Sequence, residues 1–389
     1  MPMAERSTVS LQTANDDYRI AFFIPDLGGG GAERVVVNLV NHYVANGQPV
    51  TLVLARTTGA LIDRLDSRVE LVDLGVPVKA LSIIALARYL RRSRPDCLVS
   101  HMDIANIAAC AAQRLSGYAA KRLVLCCHLM FSLQLEAFRR PKDRVVARLM
   151  QHAYPIADRY VAVSHGVAQD ISRLADLPLE RFDVIHNPAY DKTIPAQSAA
   201  DPGHPWLEAG DRDIPVVITA GRLTPEKDFT TLLEAIERAR RTRAIRLIIL
   251  GTGPLAGELK AHAVKLGIDH AIDFVGFQTN PFAYIGRADV FALSSRWEGF
   301  GNVLVEALAC GTPVVATNCP SGPAEILENG RYGRLVPTGE SAPLASALLE
   351  SLNARHDTKA LRAHARTFSV ATAAEAYWRL IGRGSQAAS

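Results

Sequence analysis

The chain is poor in the features that mark membrane-spanning, disulfide-stapled and zinc-finger proteins. No apolar run approaches the roughly 18 residues that a spanning helix needs. Residues 1–17 are polar and lack the apolar stretch of a secretory signal, so they are expected to form a disordered leader. The six cysteines fall without Cys-X-X-Cys spacing, and Cys126 and Cys127 are adjacent. That pattern predicts reduced thiols in a cytosolic protein and speaks against a zinc site or a disulfide framework.

What is present is an ordinary globular composition in a long chain. The 389 residues are 49% hydrophobic and 21% charged, enough for two domains with full cores. The net charge of +4 is unevenly placed. Residues 191–389 hold 21 basic and 21 acidic side chains, whereas Lys79 to Arg148 holds 13 basic against 4 acidic. An anionic partner suits that region: a phospholipid surface, a lipid diphosphate or a nucleic acid. No recognisable nucleic-acid motif accompanies the charge, so nucleic acid is not expected among the partners.

Short apolar runs alternate with helical patterns throughout, which predicts a parallel α/β architecture. A first strand over Tyr18–Ile24 runs into Gly28-Gly29-Gly30-Gly31, and a helix over Ala32–Asn46 follows. Further strands are expected at Pro49–Leu54, Cys97–Ser100, Leu123–His128 and Tyr160–Ser164. The alternation lapses between Asn187 and Gly210, which hold four prolines, and restarts at Ile214–Ala220. The expected division is an N-terminal domain over 18–190, a linker over 191–213, a C-terminal domain over 214–367 and a last segment over 368–389. Two open parallel sheets facing each other place their strand C-termini, where such folds bind ligands, around a central cleft.

Five groups of residues are candidates for chemistry. Glu298 sits in a Gly-rich loop, and Glu306 lies on the helix that follows, with seven residues between them. A helix N-terminus there favours an anion, and the carboxylates can accept hydrogen bonds from hydroxyls on either side of it. Phosphate between hydroxyls describes a nucleotide sugar; two surface carboxylates are the plainer alternative. Arg222 and Lys227 follow a buried strand and suit a phosphate, Arg as a bidentate fork and Lys as a point charge; alternatively they are solvated surface cations. Gly30 and Gly31 allow close backbone approach to a phosphate or simply make a flexible turn. His128 closes an apolar strand and is expected to reach the cleft rather than the core, although a strand-end histidine, like His101 after its strand, more often reads as a hydrogen-bonded structural residue; Asn187 reads as a turn residue at the start of the linker. Finally, Arg88, Arg91 and Arg92 share one side of a helix, and Arg139, Arg140, Lys142, Arg144 and Arg148 form a second cluster. With Met130, Phe131, Leu133, Leu135 and Phe138 between them, the two clusters suggest a face for an anionic membrane.

These residues resemble the retaining GT-B glycosyltransferases of family GT4. The likeness runs from Ile20 to about Ile381. It is most specific at Glu298-Gly-Phe-Gly through Glu306-Ala-Leu-Ala-Cys-Gly-Thr-Pro, which looks like the family's EX7E motif, and at Gly221-Arg-Leu through Glu226-Lys227. The loop Gly28–Arg34 is similar to a subgroup that transfers hexoses or N-acetylhexosamines from UDP-sugars to polyprenyl-diphosphate-linked or cell-surface glycans. The resemblance implies a fold of two Rossmann-like domains and a final helix, Val370–Ile381, crossing back to the first. It implies that Arg222 and Lys227 hold the diphosphate, that Glu298 contacts sugar hydroxyls and that Glu306 binds the ribose. Gly251 and the backbone of Gly299, Phe300 and Gly301 would line the donor, Gly30 and Gly31 would approach its phosphate, and His128 would reach the sugar. It implies a nucleotide sugar as donor substrate with no cofactor and no metal, and a peripheral place at the cytoplasmic face of the inner membrane. A sugar-nucleotide epimerase of the same fold and a non-catalytic nucleotide-sugar-binding protein are the alternatives.

Overall fold

A computed structural model of the protein describes residues 18–76, 79–208 and 213–382, so the expected leader over 1–17 lies outside the described residues. Two all-parallel sheets organise the chain. The first contains β1 (Ile20–Ile24), β2 (Val50–Leu54), β3 (Glu70–Asp73), β4 (Cys97–His101), β5 (Arg122–Cys127), β6 (Arg159–Ala162) and β7 (Phe182–Val184). Its spatial order is β3-β2-β1-β4-β5-β6-β7. Between these strands run α1 (Gly31–Ala45), α2 (Lys79–Ser93), α3 (Asp103–Ser116), α4 (Phe131–Phe138), α5 (Pro141–Ala153) and α6 (His165–Ala175). The near-continuous apolar runs are explained by helices on both faces: every residue of β1 and β4 is buried.

The described part of the expected linker over 191–213, residues 191–208, is more structured than its prolines suggest. It includes α7 (Ile194–Ser198), with Pro195 in its first turn, where a missing N–H costs nothing. The second sheet follows with β8 (Val216–Ala220), β9 (Arg246–Leu250), β10 (Ile272–Gly276), β11 (Val290–Leu293), β12 (Val314–Thr317) and β13 (Arg334–Val336), in the order β10-β9-β8-β11-β12-β13. Its helices are α8 (Phe229–Arg240), α9 (Ala256–Lys265), α10 (Pro281–Ile285), α11 (Asn302–Cys310), α12 (Pro323–Ile326), α13 (Ser341–Asn353) and α14 (Thr358–Ala365). The last helix, α15 (Val370–Ile381), packs on the first sheet's layer, where the Tyr43 hydroxyl donates to the Ala374 carbonyl at 2.8 Å.

Strand order reverses between β1 and β4 in one sheet and between β8 and β11 in the other. Those reversals open crevices at the strand C-termini, the places where such sheets accept ligands. The loops that the sequence singled out, after β1, β5, β8 and β11, end at or beside these two crevices. All six cysteines are buried and free.

Candidate active site

The loops after β8 and β11 are tied into one unit. After β8 the chain turns at Gly221, and Pro225–Lys227 form a short 3-10 turn before Asp228 opens α8. Asp228 has φ +45°, a left-handed conformation that costs a non-glycine residue energy, and its carboxylate supplies the compensation. It accepts from the Thr231 hydroxyl at 2.8 Å and from Arg296 Nε at 3.0 Å. Ser294 Oγ donates to the Lys227 carbonyl at 2.8 Å, and the Arg296 N–H donates to the Glu226 carbonyl at 2.8 Å. Lys227 is therefore held at its backbone by the loop that carries Glu298.

Its side chain is held by the same loop. Lys227 Nζ lies 2.5 Å from Glu298 Oε1, which also accepts from Ser295 Oγ at 2.7 Å. The Thr317 hydroxyl on β12 in turn donates to the Ser295 carbonyl. Arg222 stands beside this knot with its side chain 80% exposed, 3.7 Å from Glu226. A partly enclosed ammonium and an exposed guanidinium thus flank one loop, and Arg222 remains open to an incoming anion.

Gly301 in the left-handed region opens α11, and Glu306 lies within that helix. Burial raises the Glu306 carboxyl above its usual range, and Arg34 on α1, 3.7 Å away, pulls it back. Phe300 belongs to the core, stacked 5.1 Å from His186, so only its backbone is left to face a ligand. Gly251 is required by close packing: a Cβ there would lie 2.0 Å from the Gly221 carbonyl oxygen. Gly299 is constrained from the other half, since its Cβ would meet the His128 carbonyl oxygen at 1.9 Å.

The first half contributes groups of a different kind. His128 follows β5 and is 8% exposed, buried more deeply than a side chain simply projecting into a cleft. Its Nε2 lies 3.0 Å from Nδ1 of His101, the residue that ends β4. Burial lowers His128 to about 4 and, with His128 as its neighbour, holds His101 well below the usual histidine range, so both rings are neutral. Gly30 precedes α1 in extended backbone, and the Glu33 carboxylate folds over it: a Cβ there would meet Glu33 Oε2 at 2.6 Å. Gly31 lies against Asn302 of α11.

Several contacts between the halves were not legible in the sequence. Asn187 is not merely a turn residue: its amide donates to Asn302 Oδ1 at 2.9 Å. Glu325 on α12 accepts from the His165 N–H at the start of α6 and from His186 Nε2, each at 3.0 Å. Ser164 and Ser321 hydroxyls meet at 2.5 Å, and both lie 2.8 Å from the Gly299 carbonyl. No local pattern marks such pairs, because each joins residues more than a hundred positions apart or a loop to a helix end.

The basic face also needs revision. Arg88, Arg91 and Arg92 are all exposed, and Arg91 also reaches the C-terminus of α3, donating to the Ser116 carbonyl at 3.1 Å and the Leu115 carbonyl at 3.4 Å. Arg139 is exposed, and Arg140 stacks over Phe138, whose ring meets Trp297 edge-on. Met130 and Phe131 are buried in the core, because α4 folds down on α6, where Asp170 caps it through Ser132. Exposed apolar residues in this region include Ile84 on α2, Leu129, and Val145 at 55% and Leu149 at 47%, the last two one turn apart on α5 beside Arg144 and Arg148.

Comparison with known proteins agrees with this architecture half by half. Residues 29–190 match the model of Glycosyltransferase Family 4, and residues 214–354 match that of Glycosyl transferases group 1, most of the chain between them. This chain is a GT-B glycosyltransferase of the family 4 type. It is 25% identical to an N-acetylgalactosamine-N,N'-diacetylbacillosaminyl-diphospho-undecaprenol 4-alpha-N-acetylgalactosaminyltransferase of Campylobacter jejuni, over 90% of this chain and 94% of that protein. It is 28% identical to the lipopolysaccharide core biosynthesis glycosyltransferase LpsE of Rhizobium meliloti, over 82% and 84%. Among solved structures, Anabaena HepE in complex with UDP and glucose superposes with a TM-score of 0.75 at 21% identity, covering 94% of this glycosyltransferase and 99% of that chain.

Proposed function

We propose that this glycosyltransferase moves a hexose or N-acetylhexosamine from a UDP-sugar, with retention and without a metal ion, to a lipid-linked or cell-surface glycan. The observation that carries the reading is the unit of Lys227, Glu298 and Ser295 with Arg222 open beside it, at the strand-order reversal of the second sheet. Breaking the anomeric C–O bond puts negative charge on the departing diphosphate. Fixed cations, together with the N–H groups opening α11, stabilise that charge most where it is greatest, in the transition state. Glu298 then serves sugar hydroxyls and Glu306 the ribose, while Gly30, Gly31 and His128 close the donor from the first half. Attack from the departing face forms the bond from the acceptor oxygen to C1 as the C1–phosphate bond breaks. The acceptor proton passes to the leaving phosphate oxygen.

The UDP bound to HepE and the diphospho-undecaprenol in the name of the Campylobacter relative support the donor and acceptor classes. The role of LpsE in lipopolysaccharide core biosynthesis points to the same kind of product. No helix among the described residues is long and apolar enough to cross a membrane. Contact with a cytoplasmic membrane surface falls instead to the exposed Val145 and Leu149 with Arg144 and Arg148, joined by Arg88, Arg92, Arg139 and Arg140.

The test is incubation with UDP-, GDP- and ADP-sugars, with and without membrane lipid extract and EDTA. Lipid-dependent UDP release that survives EDTA is expected. An altered UDP-sugar formed without acceptor would make the protein an epimerase, and binding without turnover would make it a sensor.

A further inference from the structure

The His128–His101 pair leaves two polar atoms without a partner. His101 Nδ1 and His128 Nε2 share one proton across 3.0 Å, so the tautomer of each ring fixes that of the other. His101 Nε2 and His128 Nδ1 are buried and accept or donate no hydrogen bond within the protein. His101 packs against two aromatic rings, Phe22 of β1 at 6.0 Å and Tyr377 of α15 at 6.3 Å, both near parallel to it. The Tyr377 hydroxyl is turned to Cys126 Sγ, 3.6 Å away, on the neighbouring strand.

Two arrangements satisfy the shared bond. If His128 donates, the single proton of neutral His101 sits on Nε2, as an N–H buried among aromatic rings with no acceptor. If His101 donates, the deep nitrogen is a bare acceptor, and the remaining N–H is His128 Nδ1. Each arrangement leaves one buried N–H without a partner in the protein, a costly fault unless a ligand accepts from it. The second arrangement puts the unpaired donor on the ring whose own carbonyl packs against Gly299, in the loop that carries Glu298.

We propose that His101 is a positioning residue. Packed against Phe22 and Tyr377, it donates through Nδ1 to His128 and thereby fixes His128 as a neutral hydrogen-bond donor, through its own Nδ1, for an oxygen of the sugar nucleotide. This rests on the reading of His128 as a donor-side residue. Tyr377 gives the arrangement a second consequence: the final helix, reached by the chain only after the second sheet is complete, forms one wall of the pocket that orients a residue of the first half. The chain end and the site are thus coupled through a single ring.

Nitrogen-15 NMR of the imidazoles in the full-length protein reads the tautomers directly. His128 is expected as the Nδ1–H form, and His128 as the Nε2–H form would overturn the inference without any variant being made. Kinetics supply the second readout. His101→Phe keeps the ring packing and removes the donor, whereas His101→Asn keeps an amide near the Nδ1 position. The Phe variant is expected to lower kcat on the order of 10–100-fold, the loss seen when a ligand-orienting partner is removed, with the KM for the donor little changed and turnover largely restored in the Asn variant. Wild-type turnover in His101→Phe, or equal loss in both variants, would overturn it. His128→Ala separates the two readings. Full turnover in that variant removes the donor-side role of His128 itself, whereas a loss there with none in His101→Phe removes only the role of His101.

Discussion

The two halves of this glycosyltransferase prepare their parts of the cleft in opposite ways. In the second half two charged pairs are already made, Lys227 with Glu298 and Arg296 with Asp228, while Arg222 stays exposed beside them. Their loops are stitched to one another by backbone hydrogen bonds. In the first half polar groups are buried with valences left over, at His128 Nδ1 and Asn187 Oδ1 and, behind His128, at His101 Nε2. A site for a diphosphate must hold its cations at fixed positions before the charge develops, and mutual pairing does that. A site that is finished by a ligand or by the facing half has polar atoms the protein alone does not satisfy. On the function proposed above, the donor side is preorganised and the first half is completed at the junction.

Breaking the preorganised side is expected to have the largest effect. Lys227→Ala should lower kcat by about 100–1000-fold, the range for loss of one group aimed at transition-state charge, while the thermal unfolding transition is retained. Near-normal turnover would mean that the loops after β8 and β11 do not form the donor site. Next comes the junction. Gly299→Ala places a methyl group 1.9 Å from the His128 carbonyl oxygen, so the halves must separate or the loop must move. Transfer is expected to fall about 100-fold, as displacements near 1 Å do, with UDP binding by calorimetry less affected. Parallel loss of binding would show that the clash disturbs the second half instead.

A third contrast concerns what holds the halves together. Glu325→Gln keeps the shape but removes the charge from the contacts to His165 and His186, and should cost about 2 kcal/mol in urea unfolding. Hydrogen bonding from His186 and the His165 N–H lowers the Glu325 carboxyl against the opposing effect of its burial, so its contribution is present above the ordinary glutamate range and lost on acidification.

Titration sharpens the comparison further, because buried ionisable groups gather in the first half. Unfolded His128 takes up a proton near 6.5 and the folded ring only near 4, so between those values stability falls as pH drops. Asp103 acts in the opposite sense: burial raises it to about 6, and the folded state keeps a proton that the unfolded chain has lost. Asp103→Asn should therefore steepen the acid loss between pH 4 and 6 by up to about 1.4 kcal/mol per pH unit, measured by denaturant titration at several pH values. An unchanged slope would remove Asp103 from the account. The smallest effect is expected at the surface. An Arg88/Arg91/Arg92 triple alanine variant should float less with anionic liposomes, by roughly 1 kcal/mol per charge that meets the surface. Because Arg91 already serves the α3 terminus, most of that change should reside in Arg88 and Arg92, and unchanged flotation would move the membrane face to α5.

The sequence was most readable where chemistry and local backbone coincide. The stretch from Glu298 to Pro313 declares its loop, helix and stop through Gly301 and Gly311, both of which adopt left-handed backbone around α11. The fold class followed from the alternation of apolar runs and helical periods, although β3, β7 and β13 are too short or too exposed to stand out. Other assignments failed for want of long-range information. Met130 and Phe131 looked like membrane-facing residues because they lie between basic clusters, and they are buried because α4 folds onto α6. Asn187 looked like part of a turn because its partner, Asn302, lies 115 residues away.

The sequence by itself determined that two parallel α/β layers form and that Arg222, Lys227, Glu298 and Glu306 belong to loops and helix ends of the second. Periodicity and glycine placement are local properties, and each element carries its own. Only the tertiary structure decided that Lys227 and Glu298 meet, that His128 has His101 as its neighbour, and that the returning α15, which the resemblance implied, sets Tyr377 against His101. Those facts depend on which strand ends lie side by side, and strand order is set by the packing of the whole sheet.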